Sequence, residues 1–270
     1  RRDLPCVTSY RFNSLTGDLI HVDDGPKLQG DPCYISLDKT NRYILSAYYE
    51  AGAVSVHSND KGIFTGEKVW MQTGNGAHCI FTDPDNSHAL LPHIAGAKGI
   101  NTIFKYDFNE DTGMLSLSER AFVEQPDNRG PRHYTFHPSG EYVFFSNEQD
   151  STVTSYRYNE GDMEEVHTIS TLPAHYAGVN ACAQIKITPD GKFLYAPNRG
   201  HNSVAGFSVN SNNGQLKSIG RTQTEAIPRV LDIDGKGQFL YSAGLETGFI
   251  SAFRISDTGT LQFIERFEVG

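Results

Sequence analysis

"GPRHYTFHPSGEYVFFSNE", residues 130–148, decides the fold of this chain. Two short runs of alternating β-branched and aromatic residues flank a Pro-Ser-Gly turn, the pattern of an antiparallel hairpin. Arg132 stands near one end and Glu148 at the other. Antiparallel pairing puts the turn at one extremity. The start of the first strand and the end of the second therefore meet at the opposite one.

The hairpin recurs. NRYILSAYY (41–49), DNSHALLPH (85–93), GEYVFFSNE (140–148), GKFLYAPNR (191–199) and GQFLYSAGL (237–245) share one design, each preceded by a polar turn. Aligning them gives equivalent positions at Tyr43, His88, Tyr142, Phe193 and Phe239, spaced by 45, 54, 51 and 46 residues. A third strand follows each hairpin (TVTSYRY, SVAGFSV, FISAFRI), then an Asp/Asn/Gly turn and a fourth strand. No stretch keeps a helical period. Four strands per repeat of this length mark the blade of an all-β propeller built from four-stranded antiparallel blades. Five full blades fit residues 31–270, and residues 6–23 read as the last two strands of another. The expectation is one propeller domain over 1–270. A ring that begins and ends in mid-circuit further predicts material missing at the N-terminus and a short strand missing at the C-terminus.

Two register positions then stand out. Ten residues before each aligned anchor, at the start of strand one, come Cys33, His78, Arg132, Ala183 and Arg229; six residues after it come Tyr49, Ile94, Glu148, Arg199 and Leu245. A repeated scaffold ordinarily keeps similar residues at equivalent places. Here it diverges into cationic and titratable types at one end of the hairpins, which predicts a site built from His78, Arg132, Glu148, Arg199 and Arg229. His133 and His201 adjoin it in sequence and are candidate ligand contacts. His137 precedes the turn and reads as structural; His88 replaces an aromatic and reads as a core or interblade residue.

Composition narrows the chemistry. A net charge of −9 argues against nucleic acid or an anionic membrane as the main partner, yet leaves room for a small anion held by local arginines. No apolar run approaches the roughly 20 residues of a membrane span, and no signal-peptide pattern opens the chain. Cys6, Cys33, Cys79 and Cys182 show no CxxC spacing and read as buried free thiols of a reducing compartment, the cytoplasm. No His/Asp/Glu group has metal spacing, so neither metal nor organic cofactor is expected. A monomer or weak oligomer is expected.

GPRHYTFHPSGEYVFFSNEQDSTVTSYRY, ITPDGKFLYAPNRGHNSVAGFSV and TEAIPRVLDIDGKGQFLYSAG together resemble the lactonase-type phosphogluconolactonases, a seven-bladed propeller family, over nearly the whole chain. Fungal carboxymuconate-cyclising enzymes are similar to the same group. Their proposed His, two Arg and Glu fall by motif on His78 (GNGAHC), Arg132 (GPRH), Arg199 (PNRG) and Glu148 (SNE), and the family pattern keeps Arg229 (IPR). The resemblance implies hydrolysis of 6-phospho-D-glucono-1,5-lactone. Glu148 would be the general base, with His78 as alternative base or proton shuttle. Arg132 is expected near the carbonyl, and Arg199 with Arg229 toward the phosphate. A cycloisomerase or lactonase for muconate-type or other sugar lactones, and a non-catalytic binding propeller, are the alternatives. The latter would more readily carry exposed aromatics on its faces.

Overall fold

The aligned anchors Tyr43, His88, Tyr142, Phe193 and Phe239 each open a strand, so the repeat is in register throughout. The computed structural model describes residues 5–269; Arg1–Leu4 and Gly270, the ends of the expected 1–270 domain, lie outside them. Among the described residues there is no helix, and every pairing is antiparallel. Two compact units are formed.

The first unit runs to His93 and includes Ala97–Val123. It holds a two-stranded sheet, β1 (Cys6–Phe12) with β2 (Leu19–Lys27), and two four-stranded sheets. These are β3 (Tyr34–Leu37), β4 (Tyr43–Tyr48), β5 (Ala53–Asp60) and β6 (Ile63–Gln72), then β7 (Phe81–Thr82), β8 (His88–His93), β9 (Thr102–Asn109) and β10 (Met114–Glu124). The second unit takes Ile94–Gly96 and the chain from Glu124. Its three sheets comprise β11 (Pro131–Phe136), β12 (Tyr142–Asn147), β13 (Thr152–Asn159) and β14 (Asp162–Ser170); β15 (Ala181–Cys182), β16 (Lys186–Ile187), β17 (Phe193–Arg199), β18 (Ser203–Val209) and β19 (Leu216–Gln223); and β20 (Pro228–Ile233), β21 (Phe239–Gly244), β22 (Phe249–Ile255) and β23 (Leu261–Glu268). In the middle sheet β15 and β16 both pair with β17, so its first strand is in two pieces where an unbroken one was expected.

Why the second strands are apolar throughout is clear from β17. Leu194 and Ala196 pack with Tyr142, Phe144 and Ile185, while Tyr195 packs with Leu231, Leu240 and Phe253. A strand buried on both faces has no solvent side to make polar. The anchors also join sheets. The Tyr43 hydroxyl donates to Asp111 O at 2.8 Å, and the Tyr142 hydroxyl to Asn212 O at 2.9 Å, each in the third-to-fourth-strand turn of the following sheet. Gly113, Gly214 and Gly259 in those turns have φ of +73°, +70° and +79°, and a Cβ on any of them would strike Tyr43, Tyr142 or Phe193 respectively. His88, expected as a core or interblade residue, is instead half-buried between Asp83 (3.3 Å) and Asp107 (3.7 Å) of its own sheet.

The hairpin turns are capped from within. Asp38 Oδ1 accepts from Tyr43 N at 2.8 Å, Asp83 Oδ1 from His88 N at 3.0 Å, Thr188 Oγ1 from Phe193 N at 3.1 Å and Asp234 Oδ1 from Phe239 N at 2.7 Å. A short acceptor side chain at a fixed distance before the anchor satisfies the turn's backbone. His137 is buried there against Ser139, as its structural reading required.

All four cysteines are free, but only Cys79 and Cys182 are buried; Cys6 is half-buried and Cys33 exposed. The expectation of four buried thiols is corrected accordingly. Cys33 stands just before β3, its thiol 3.4 Å from Ala47 O.

Candidate active site

Apart from β3, which pairs with β4 in unbroken register, the first strands do not pair regularly. In β11 the register slips by one residue between Pro131 and His133, and in β20 between Pro228 and Val230. The residue left out of each ladder is Arg132 and Arg229. The same slip separates the β15 and β16 pairings with β17. It also separates the Ala77–His93 bridge from the β7–β8 ladder, and His78 lies in that interval. A β-bulge kinks the strand and re-aims one side chain. Two segments enter these bulges alike: Gly130 (φ +70°) precedes Pro131-Arg132, and Ile227 (φ +52°) precedes Pro228-Arg229. The Gly130 carbonyl accepts from Glu148 N at 2.6 Å and the Ile227 carbonyl from Leu245 N at 3.1 Å.

Three of the expected residues meet at one carboxylate oxygen. Glu148 Oε2 lies 2.6 Å from Arg132 Nε and 2.9 Å from Arg199 Nη2. Arg199 Nη2 also donates to Cys182 O at 2.8 Å, and Cys182 N donates to Glu148 O at 3.2 Å, tying β17 to the end of β12. Arg132 is only 2% exposed; Glu148 and Arg199 keep 15% each. Burial brings the Arg132 guanidinium down to about 10, against the attraction of Glu148 and helped by repulsion from Arg199 and Arg229. It stays cationic at neutral pH. Arg229 is close enough for that repulsion to count, is exposed, and has no ion-pair partner among the described residues. Three guanidiniums against one carboxylate leave the cluster with a surplus of two positive charges in a protein of net charge −9.

His133 is buried beside the cluster, its Nε2 3.3 Å from Arg132 Nη1. A guanidinium can only donate, so Nε2 is the acceptor. His201 makes no hydrogen bond or ion pair to Glu148 or the arginines among the described residues. Its ring meets Tyr176 edge-on at 4.9 Å, and its Nδ1 lies 2.7 Å from Ser203 Oγ. Asn198 Nδ2 donates to that oxygen at 3.2 Å. His78 belongs to the first unit. It is buried, its N–H donates to Pro92 O at 3.0 Å, and its ring meets Tyr49 at 5.8 Å.

Two contributors escaped the sequence. The Cys182 carbonyl is a backbone partner and carries no side-chain signal. Its thiol is inert, pushed up to about 12 by burial. Asn202, whose side chain joins the Arg199 turn to the Arg229 approach, is one more polar residue in an Asn-rich stretch.

Antiparallel four-stranded sheets in series, the second unit's carrying arginines and a glutamate beside bulged first strands, are the blades of a β-propeller. The chain belongs to the family "Lactonase, 7-bladed beta-propeller", whose model matches residues 4–270. It is 33% identical over 268 residues to a 6-phosphogluconolactonase of Pectobacterium atrosepticum and 34% identical over 268 residues to one of Klebsiella pneumoniae. Each match covers 98% of this chain and 79% of the relative. Among solved structures, a periplasmic gluconolactonase of Pseudomonas aeruginosa superposes with a TM-score of 0.88 at 24% identity, over 97% of this chain and 77% of the other, which speaks for the fold.

Proposed function

We propose that this protein hydrolyses 6-phospho-D-glucono-1,5-lactone to 6-phosphogluconate, a lactone-opening step of the pentose phosphate pathway. The observation that carries the reading is the shared Glu148 oxygen, with Arg229 left as a cation without an ion-pair partner among the described residues. It is supported by the relatives' names and by coverage of nearly the whole chain.

Burial favours a division of labour among the arginines. Arg132, almost wholly enclosed, orients the Glu148 carboxylate rather than reaching the substrate carbonyl. Arg199, on the same oxygen but more open, is the better donor to the developing oxyanion. Arg229, exposed and uncompensated, takes the 6-phosphate through its planar fork. Glu148 accepts a proton from water as the water oxygen bonds to C1. The C1–O5 bond then breaks, and Glu148 gives that proton to the leaving ring oxygen. An activated ester asks little of its base. We place the protein in the cytoplasm, in keeping with four free cysteines.

The test is direct hydrolysis of the phosphorylated lactone, corrected for spontaneous opening, alongside plain gluconolactone. A clear preference for the phosphorylated lactone is expected. Equal efficiency on both would transfer the reading to another sugar or muconate-type lactone.

A further inference from the structure

Ile227 is out of character. A β-branched residue at φ +52° is strained, at a cost of about 1–3 kcal/mol unless its surroundings impose the conformation. The equivalent residue of the first sheet in the same unit is Gly130, which adopts this φ freely. Something must hold Ile227, and the contacts name it. Asn202 Oδ1 accepts from Ile227 N at 3.1 Å and from Gly200 N at 3.3 Å. Asn202 O accepts from Thr224 N at 3.0 Å, and Asn202 N donates to Asn198 O at 2.9 Å. One residue thus connects the turn just beyond Arg199 with both ends of the segment that leads into the Arg229 bulge. Asn202 itself sits at φ +54°, which asparagine tolerates better than most residues.

The two arginines differ in how they are fixed. Arg199 has side-chain anchors of its own in Glu148 Oε2 and Cys182 O. Arg229 has no ion-pair partner among the described residues, so its placement depends on the backbone that carries it. That backbone is set by Pro228, by the Ile227 carbonyl bonded from Leu245 N, and by Asn202. On the far side, Glu225 is tethered to Ser251 Oγ at 2.7 Å, which holds the segment without fixing φ at Ile227.

We infer that Asn202 is a positioning residue for the anionic end of the substrate: its side-chain oxygen holds Ile227 in the left-handed region and thereby aims Arg229. The inference rests on the functional reading above for the identity of the anion. Both contacts use Oδ1 and accept from N–H groups, so an aspartate can replace the amide; glycine keeps the positive φ and removes the acceptor.

The experiment compares Asn202→Gly with Asn202→Asp. In Asn202→Gly, KM for the 6-phosphorylated lactone should rise about five- to tenfold, with kcat within about twofold of wild type. KM for plain gluconolactone should not move. Asn202→Asp should restore KM to within about twofold of wild type. Wild-type KM in the glycine variant, or equal damage in both variants, overturns the inference. Crystal structures of wild type and Asn202→Gly give the second arm. Residues 224–229 should shift, carrying Arg229 with them, and an unmoved segment overturns the inference whatever the substrate. Absence of hydrolysis in the wild type would instead overturn the functional reading, leaving this arm to decide the role of Asn202.

Discussion

Arg132 and Arg199 both direct their charge at Glu148, whereas Arg229 stands exposed with no ion-pair partner among the described residues. The difference predicts different kinetic signatures. Glu148→Gln keeps the shape and removes the base, so kcat should fall about 10²- to 10⁴-fold with KM little changed, read by steady-state assay on the phosphorylated lactone. Arg229→Lys keeps the charge but loses the fork. It should raise KM for that lactone about tenfold and leave plain gluconolactone untouched. Loss of activity on both lactones alike would remove Arg229 from the phosphate. The positions of Arg132 and Glu148 were legible because hairpin geometry forces their proximity. Which arginine is enclosed was not, since Arg132 and Arg229 occupy the same register position behind the same proline, and only packing makes one 2% exposed. His201, two residues beyond Arg199, looked equally close in sequence but is committed to Ser203 and Tyr176.

At the scale of strands and turns, the alternating pattern gave the order, number and anchors of the sheets. It could not give the one-residue slips in the first strands, because a bulge is a property of a pair of strands and leaves no mark on either alone. In the interval between β15 and β16, Gln184 turns its side-chain oxygen to Leu231 N at 3.0 Å. The turn glycines were visible as Asp/Asn/Gly loops, but their contact with an aromatic about 70 residues earlier was not. Gly214→Ala would force a side chain into a φ of +70° and against the Tyr142 ring. A loss of about 2–4 kcal/mol is expected, seen as a lower urea midpoint at unchanged slope. A loss below about 0.5 kcal/mol would mean that the ring gives way freely.

For the molecule as a whole, acid stability depends on histidines held neutral. His93 is fully buried beside Thr73, and burial brings it down to about 4. The unfolded chain therefore binds a proton near pH 6.5 that the folded chain refuses until about pH 4. Stability is complete above the unfolded value and falls as pH drops through this window, by roughly 3 kcal/mol below it. His93→Gln should flatten that part of the profile while its stability near neutral pH changes less. Urea titrations on either side of the window measure both. An unchanged pH slope would assign the acid lability elsewhere. The sequence placed His93 at the end of an apolar strand but offered no measure of how dry that end is.

The glycine–aromatic pairs also govern how this gene can be recombined with its relatives. Tyr43 with Gly113, Tyr142 with Gly214 and Phe193 with Gly259 are each separated by most of a repeat and a half, so a crossover from 43 to 113, or from 142 to 259, inherits an aromatic from one parent and its glycine from the other. Between residues 114 and 141 a crossover divides none of these described pairs. Chimeras joined there keep every such contact native to one parent, and a library with breakpoints in that window should yield more soluble, folded progeny than one with breakpoints inside any pair.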